Sequence, residues 1–193
     1  PAVLYDNYIP ANPFISSIGI DNNEGMELAV SCLKKQGHKK IGYLSSALGS
    51  HIMQVRHKAF FHAMKQNDLR AEADWAGASY YITQCVEKHL SRFLKMGMTA
   101  VICSHDLIAN AAMIQCQQLG YHIPSDLSII GFDDLPMCAY TSPPLTTIRQ
   151  DRTELGKCGY YAINSLLNNV SIGTILLHAQ LIERGSTGEC KTS

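Results

Sequence analysis

"GFDDLPMCAYTSPPLTTIRQD", residues 131–151, ends an apolar run on two adjacent carboxylates and then enters a second strand-like run, "PPLTTI". Strands buried on both faces read as near-continuous apolar runs, whereas half-exposed strands alternate. Leu127–Phe132 is of the first kind, so Asp133 and Asp134 mark the point where a buried strand leaves the core. An exit of that kind is either a capped turn or the floor of a polar ligand site. The rest of the chain bears on the choice.

Outward from this stretch, short apolar runs alternate with amphipathic ones. Ala2–Tyr5, Ser17–Ile20, Ile41–Ser45, Ala100–Ser104, Leu145–Arg149 and Ile175–Ile182 read as further strands. Between them, Met26, Ala29, Val30 and Leu33 share one helical face over about 23–36, and Val55, Ala59, Phe60, Ala63 and Met64 share another over about 54–67. Similar faces run over about 84–96 (Val86, Leu90, Phe93, Leu94), through Ile108, Ala111, Ala112 and Leu119, and through Leu155, Cys158, Ala162 and Leu166. Gly37, Gly97 and Gly120 follow three of these helices, where a left-handed C-cap residue is wanted. Helix and strand in alternation imply an α/β fold, a Rossmann-like parallel sheet with helices on both faces.

Composition narrows the class. The 193 residues are 46% hydrophobic and 17% charged, with a formal net charge of zero, as in an ordinary folded domain. "KKQGHKK" (34–40) is the densest basic stretch and reads as a solvated helix end, so no footprint for nucleic acid is present. Seven scattered cysteines without a C-x-x-C pair point to reduced thiols and a cytoplasmic location. No apolar run reaches the length of a membrane span.

Ligands of open α/β sheets bind beyond the carboxyl ends of the strands. Those ends carry Asp6, Asp21, Ser45–Ser46, Ser104–His105–Asp106, Asp133–Asp134 and Gln150–Asp151. Carboxylates at strand-to-helix turns also cap helices, and capping is the default for Asp106, Asp134 and Asp151, while Asp133 precedes the turn and favours ligand contact. Catalytic templates are missing: there is no G-x-S-x-G elbow, no G-x-G-x-x-G after a strand and no P-loop, and His57 and His62 lack metal-ligand spacing. No cofactor and no metal are called for. Trp75, the single tryptophan, is either a packing residue or a platform for the apolar face of a sugar ring. Arg56 lies near a helix N-terminus, against the macrodipole, which favours a ligand role.

"IDNNEGMELAVSCLKKQGHKKIGYLS" (20–45), "RHKAFFHAM" (56–64), "DLIANAAMIQCQQLGYHIPSDLSIIGFDDLP" (106–136) and "SPPLTTIRQDRTELG" (142–156) together resemble, in order and spacing, the effector-binding core of lac/gal-type (LacI/GalR) bacterial transcriptional repressors. The resemblance implies a periplasmic-binding-protein-like fold of two lobes joined by three crossovers and closing on a ligand, here with one lobe complete and the other partial. Residues 1–17 would be a first-lobe remnant, 18–146 the second lobe, 147–175 a crossover and first-lobe remnant, and 176–193 a final strand and tail. The first-lobe pieces are expected to lack partners, leaving the face of Leu155, Cys158 and Ala162 disordered, swapped or covered in a dimer.

Carried over by motif, Asp133 and Arg56 would hydrogen-bond sugar hydroxyls, Asp6 and Gln150 would line the cleft from the first lobe, and Trp75 falls where sugar-responsive members carry a stacking Trp. His105 replaces the usual Asn of this motif, and Arg152 replaces an aromatic at the rim. The implied function is sugar binding coupled to DNA affinity in a homodimer, without enzyme activity and without a membrane partner. DNA would be reached only through a helix-turn-helix that precedes this chain in a longer polypeptide, of which it is read as an N-terminally truncated part. Purine is a further effector option, against which Trp75 weighs. An exported sugar-binding protein and a Rossmann-like enzyme acting on a sugar are the alternatives.

Overall fold

The computed structural model describes residues 1–8 and 12–191, so residues 9–11 of the expected first-lobe remnant and 192–193 of the expected tail lie outside the described residues. In chain order the elements are β1 (Ala2–Tyr5), β2 (Ile15–Ile20), α1 (Asn22–Lys35), β3 (Ile41–Ser46), α2 (His51–Gln66), β4 (Ala76–Ser79) and α3 (Ile82–Lys95). They continue with β5 (Ala100–Cys103), α4 (Asp106–Gln118), β6 (Ser128–Asp133), β7 (Thr146–Arg149), α5 (Arg152–Leu167), β8 (Thr174–Leu177) and β9 (Gln180–Ile182). Short 3₁₀ turns cover Ala73–Trp75 and Pro136–Ala139.

Two sheets form. The larger has the order β4-β3-β5-β6-β7-β9, parallel throughout except for β9, which pairs antiparallel with β7 at the edge. Helices α1 and α2 pack together, as do α3 and α4, and every residue of β5 is buried between them. This is the doubly covered parallel sheet that the apolar runs imply. Ile41, Tyr43, Leu44, Val101, Ile102, Ile129, Ile130 and Phe132 supply its core. Gly37, Gly97 and Gly120 do end their helices at positive φ, at 87°, 73° and 79°.

The smaller sheet is β1-β2-β8, all parallel, with α5 resting on β1 and β2. The pieces expected to lack partners therefore pack on one another: Ala162 and Leu166 are buried, and Leu155 and Cys158 are half-covered. Strands β2, β7 and β8 each straddle an expected boundary, so the crossings between sheets fall instead at Asp21, at Gln150–Asp151 and at His178–Ala179. The run 175–182, read as one strand, is two, in different sheets. Among the described residues no helix is long and apolar enough to cross a membrane.

Beyond β9 the chain runs back along the amino ends of β6 and β7. The fully buried Ser186 donates to Ile129 O (2.6 Å) and accepts from Thr146 N (2.8 Å), while Ile129 N donates to Ser186 O (2.8 Å). Ser186→Ala strands a buried N–H, and urea unfolding is expected to show a loss of about 1–3 kcal/mol.

Candidate functional site

The carboxyl ends of β3, β5 and β6 meet Asp6 and Gln150 in one cavity of about 580 Å³. Asp6, Arg56, His105, Asp133, Gln150 and Arg152 supply its polar lining, and Ile52, Met53, Leu107 and Leu135 its apolar walls.

Arg56 lies at the floor. It occupies the inward face of α2 with Met53, Phe60 and Ala63, and is only 2% exposed. Its Nε donates to Asn22 Oδ1 (2.9 Å), its Nη1 to Ser104 O (2.6 Å), and its Nη2 lies 3.1 Å from Asp133 Oδ1. The guanidinium carbon stands 3.8 Å from the centre of the Phe132 ring, a cation–π contact. A guanidinium has five N–H donors, so three serve the protein and at most two remain for a ligand.

Asp133 ends β6 at φ 109°, a backbone conformation that costs energy for a non-glycine residue. Its Oδ1 takes both Arg56 and the Gln150 Nε2 donor (2.5 Å). Its Oδ2 has no hydrogen-bond partner among the described residues and is open to accept from a ligand hydroxyl. Gln150 is therefore aimed by Asp133 from the point where the chain leaves β7.

Asp6 enters from the smaller sheet, just after β1 and at φ 51°, with a buried Oδ1 that has no hydrogen-bond partner among the described residues. Burial pushes its carboxyl above the ordinary value; the Arg56 charge opposes that shift and the Asp133 charge adds to it. His105 is the N-cap residue of α4, yet its side chain makes no capping bond. Burial lowers its affinity for a proton, partly offset by Asp133 and reinforced by Arg56, so the imidazole enters the cavity in a neutral form at physiological pH.

The neighbouring carboxylates have structural tasks. Asp21 and Asp151 cap α1 and α5, each accepting from two backbone N–H groups. Asp134 holds Arg149 and Arg184 at 2.7 Å each. Asp106 is fully buried, accepting from Thr147 Oγ1 (2.6 Å) and Leu135 N (2.7 Å), and a Cβ on Gly131 would collide with its carboxylate. The apolar exit strand thus ends in one cavity-facing carboxylate and one structural one.

Trp75 is placed elsewhere, which corrects the sequence reading. It closes a 3₁₀ turn before β4, is 7% exposed, and borders a separate cavity with Lys34, His38, Lys40 and Leu69 at the amino end of the sheet. The position before a strand, rather than after it, puts it on the wrong edge for the cleft. Tyr80 and Tyr81, an exposed edge-to-face pair just past β4, are the aromatics on the carboxyl edge there. Sequence reasoning also missed Asn22 and Ser104 as the partners that hold Arg56, although both directly follow or adjoin strand ends.

Fold and cavity define a class: a two-sheet α/β domain with a polar cleft reached from both sheets. The chain belongs to the periplasmic-binding-protein-like domain family, whose model matches residues 30–187. The HTH-type transcriptional repressor PurR of Aliivibrio salmonicida (strain LFI1238) is 34% identical over 172 residues, 88% of this chain and 50% of that protein. The HTH-type transcriptional repressor CytR of Escherichia coli (strain K12) is 29% identical over 191 residues, 97% of this chain and 56% of that protein. Among solved structures, a regulatory protein of LacI family from Chloroflexus aggregans has a TM-score of 0.85 at 28% identity, covering 96% of this chain and 68% of that one. A dimeric lac repressor with a C-terminal deletion has a TM-score of 0.83 at 25% identity, covering 98% and 69%. The resemblance to the effector-binding core of lac/gal-type repressors stands on these relatives, and the chain spans about half the length of the curated ones.

Because Asp6 is held above its ordinary pKa of 3.8, the folded state binds the proton more tightly than the unfolded chain. Stability then falls as pH rises through that window, and the penalty is complete once Asp6 is ionised. Asp6→Asn is expected to raise the unfolding temperature at about pH 7 and to give no gain near about pH 3, where both side chains are neutral. Thermal unfolding across that range checks the sign.

Proposed function

We propose that this chain is the effector-binding core of a transcriptional regulator of the lac/gal type, and that its cleft takes a small hydroxylated effector, a sugar or a sugar-bearing molecule. One observation carries the reading. Five polar residues far apart in sequence (Asp6, Arg56, His105, Asp133 and Gln150) converge from both sheets on one cavity of about 580 Å³. That volume suits a small molecule rather than a macromolecule. The free Asp133 Oδ2, the spare Arg56 N–H groups and the Gln150 amide form an acceptor–donor set matched to vicinal hydroxyls.

An effector held by groups of both sheets favours the arrangement in which the two are close, and so shifts a population rather than pushing a lever. DNA affinity in the whole protein follows through a reader domain and a homodimer. The surface proposed for that dimer is α4 with residues 137–142, which leaves Leu107, Ile114, Leu119 and Tyr140 exposed. Seven free cysteines suit a reducing cytoplasm and weigh against an exported binding protein. Against an enzyme, among the described residues the cleft lining pairs no Ser, Cys or Lys nucleophile with a base.

With Trp75 outside the cleft, the feature that favoured a sugar over a purine is gone. The apolar walls of Ile52, Met53, Leu107 and Leu135 also fit the faces of a flat base, so a nucleoside is the second reading. Calorimetry against hexoses, pentoses, nucleosides and free purines separates the two. In either case Asp133→Asn and Gln150→Ala are expected to weaken binding roughly 10- to 100-fold, the worth of one charge-assisted hydrogen bond. Unchanged affinity in both, with loss in Trp75→Phe, would move the site to the other end of the sheet.

A further inference from the structure

The two arginines of the cleft are not equally paired. Arg56 is matched by Asp133. Arg152, the first residue of α5, also lines the cavity, but its Nη2 meets only main-chain oxygens, Asp133 O (3.1 Å) and Asp134 O (2.9 Å). Three neighbouring carboxylates are engaged elsewhere: Asp134 with Arg149 and Arg184, Asp151 in capping α5, and Glu154 with Lys157. Among the described residues no carboxylate lies within ion-pair distance of Arg152.

Both carbonyls accept from Nη2, and the Nε and Nη1 donors of Arg152 have no protein partner among the described residues. A planar fork held in that way matches a carboxylate or a phosphate, not a hydroxyl. We infer that the effector of this cleft carries one anionic group, a carboxylate or a phosphate, and that Arg152 is the residue that selects it. This inference rests on the cleft being an effector site, and it narrows the chemical class: a sugar acid, sugar phosphate or nucleotide, with hydroxyls on Asp133 and Gln150 and the anion toward Arg152. The same residue that departs from the family's aromatic pattern thus becomes the one that sets specificity.

The test is calorimetry of the protein against three matched sets: neutral sugars and nucleosides, their carboxylate derivatives, and their phosphate esters. The tightest binder is expected in one of the anionic sets, and which set it falls in tells carboxylate from phosphate. Arg152→Gln is expected to reduce the anionic-to-neutral affinity ratio by about tenfold or more, with Arg152→Lys restoring part of it. Raising salt is expected to weaken the anion in the parent protein and to have less effect in Arg152→Gln, a response that a purely structural role would not give. A neutral compound as the tightest binder, or equal losses for neutral and anionic ligands in Arg152→Gln, overturns the inference. Neutral binding that disappears in Asp133→Asn would leave the effector cleft standing and sink only the anionic class. Failure of all three sets to bind would remove both.

Discussion

A guanidinium that is almost wholly out of water holds this molecule's chemistry together. Taking such a charge out of solvent costs several kcal/mol, on the order of what a whole domain has in reserve, unless its partners are placed to receive it. Arg56 finds them in three separate places: Asn22 at the start of α1, the Ser104 carbonyl past β5, and, at the end of β6, both the Asp133 carboxylate and the Phe132 ring beneath. None of these could shift by an ångström without leaving a buried donor unmet. The strand ends and the helix starts are thereby locked in one geometry. The floor of the cleft is rigid because the charge demands it, and Asp133 keeps its left-handed backbone because Arg56 and Gln150 hold it there.

From that floor the coupling between the two sheets follows. All three crossings lie close to groups already fixed by hydrogen bonds. Asp21 ends one crossing by capping α1, and Asp151 ends another by capping α5. At the third, Ala179 N donates to Glu24 Oε2 (2.8 Å) in the first turn of α1. The crossings are anchored on the larger sheet, while Asp6 reaches into the cavity from the smaller one. A ligand that satisfied Asp6 and Asp133 together would act on the relation between the sheets, the coupling that the proposed function requires.

Much of this was legible in residue order. The doubly buried strands announced themselves as unbroken apolar runs; the polar residues at their carboxyl ends included Asp6, His105, Asp133 and Gln150, and Arg56 stood out by its place near a helix N-terminus, before any geometry was known. What failed did so for physical reasons. "AGAS" at 76–79 lacks the branched and aromatic side chains that mark a strand, and becomes β4 only because β3 offers an open edge. The run 175–182 looks like one strand, since a change of sheet between Leu177 and Gln180 leaves no trace in hydropathy. Trp75 carries no local mark of which sheet end it occupies. Burial under the α2–β4 connection is decided by distant partners, and a lone aromatic in a loop is as ready to pack as to bind. The pairing of Asp134 with two arginines was equally hidden, because Arg149 and Arg184 are separated from each other by a whole helix and two strands.

The most direct trial of this account is a crystal structure of the protein with its effector bound. The account predicts density for the ligand between Arg56, Asp133, Gln150 and Asp6, with the Arg56 contacts to Asn22 and Ser104 unchanged from the empty state. Density instead in the cavity beside Trp75, or on the exposed face of α4 with the central cleft vacant, would contradict it.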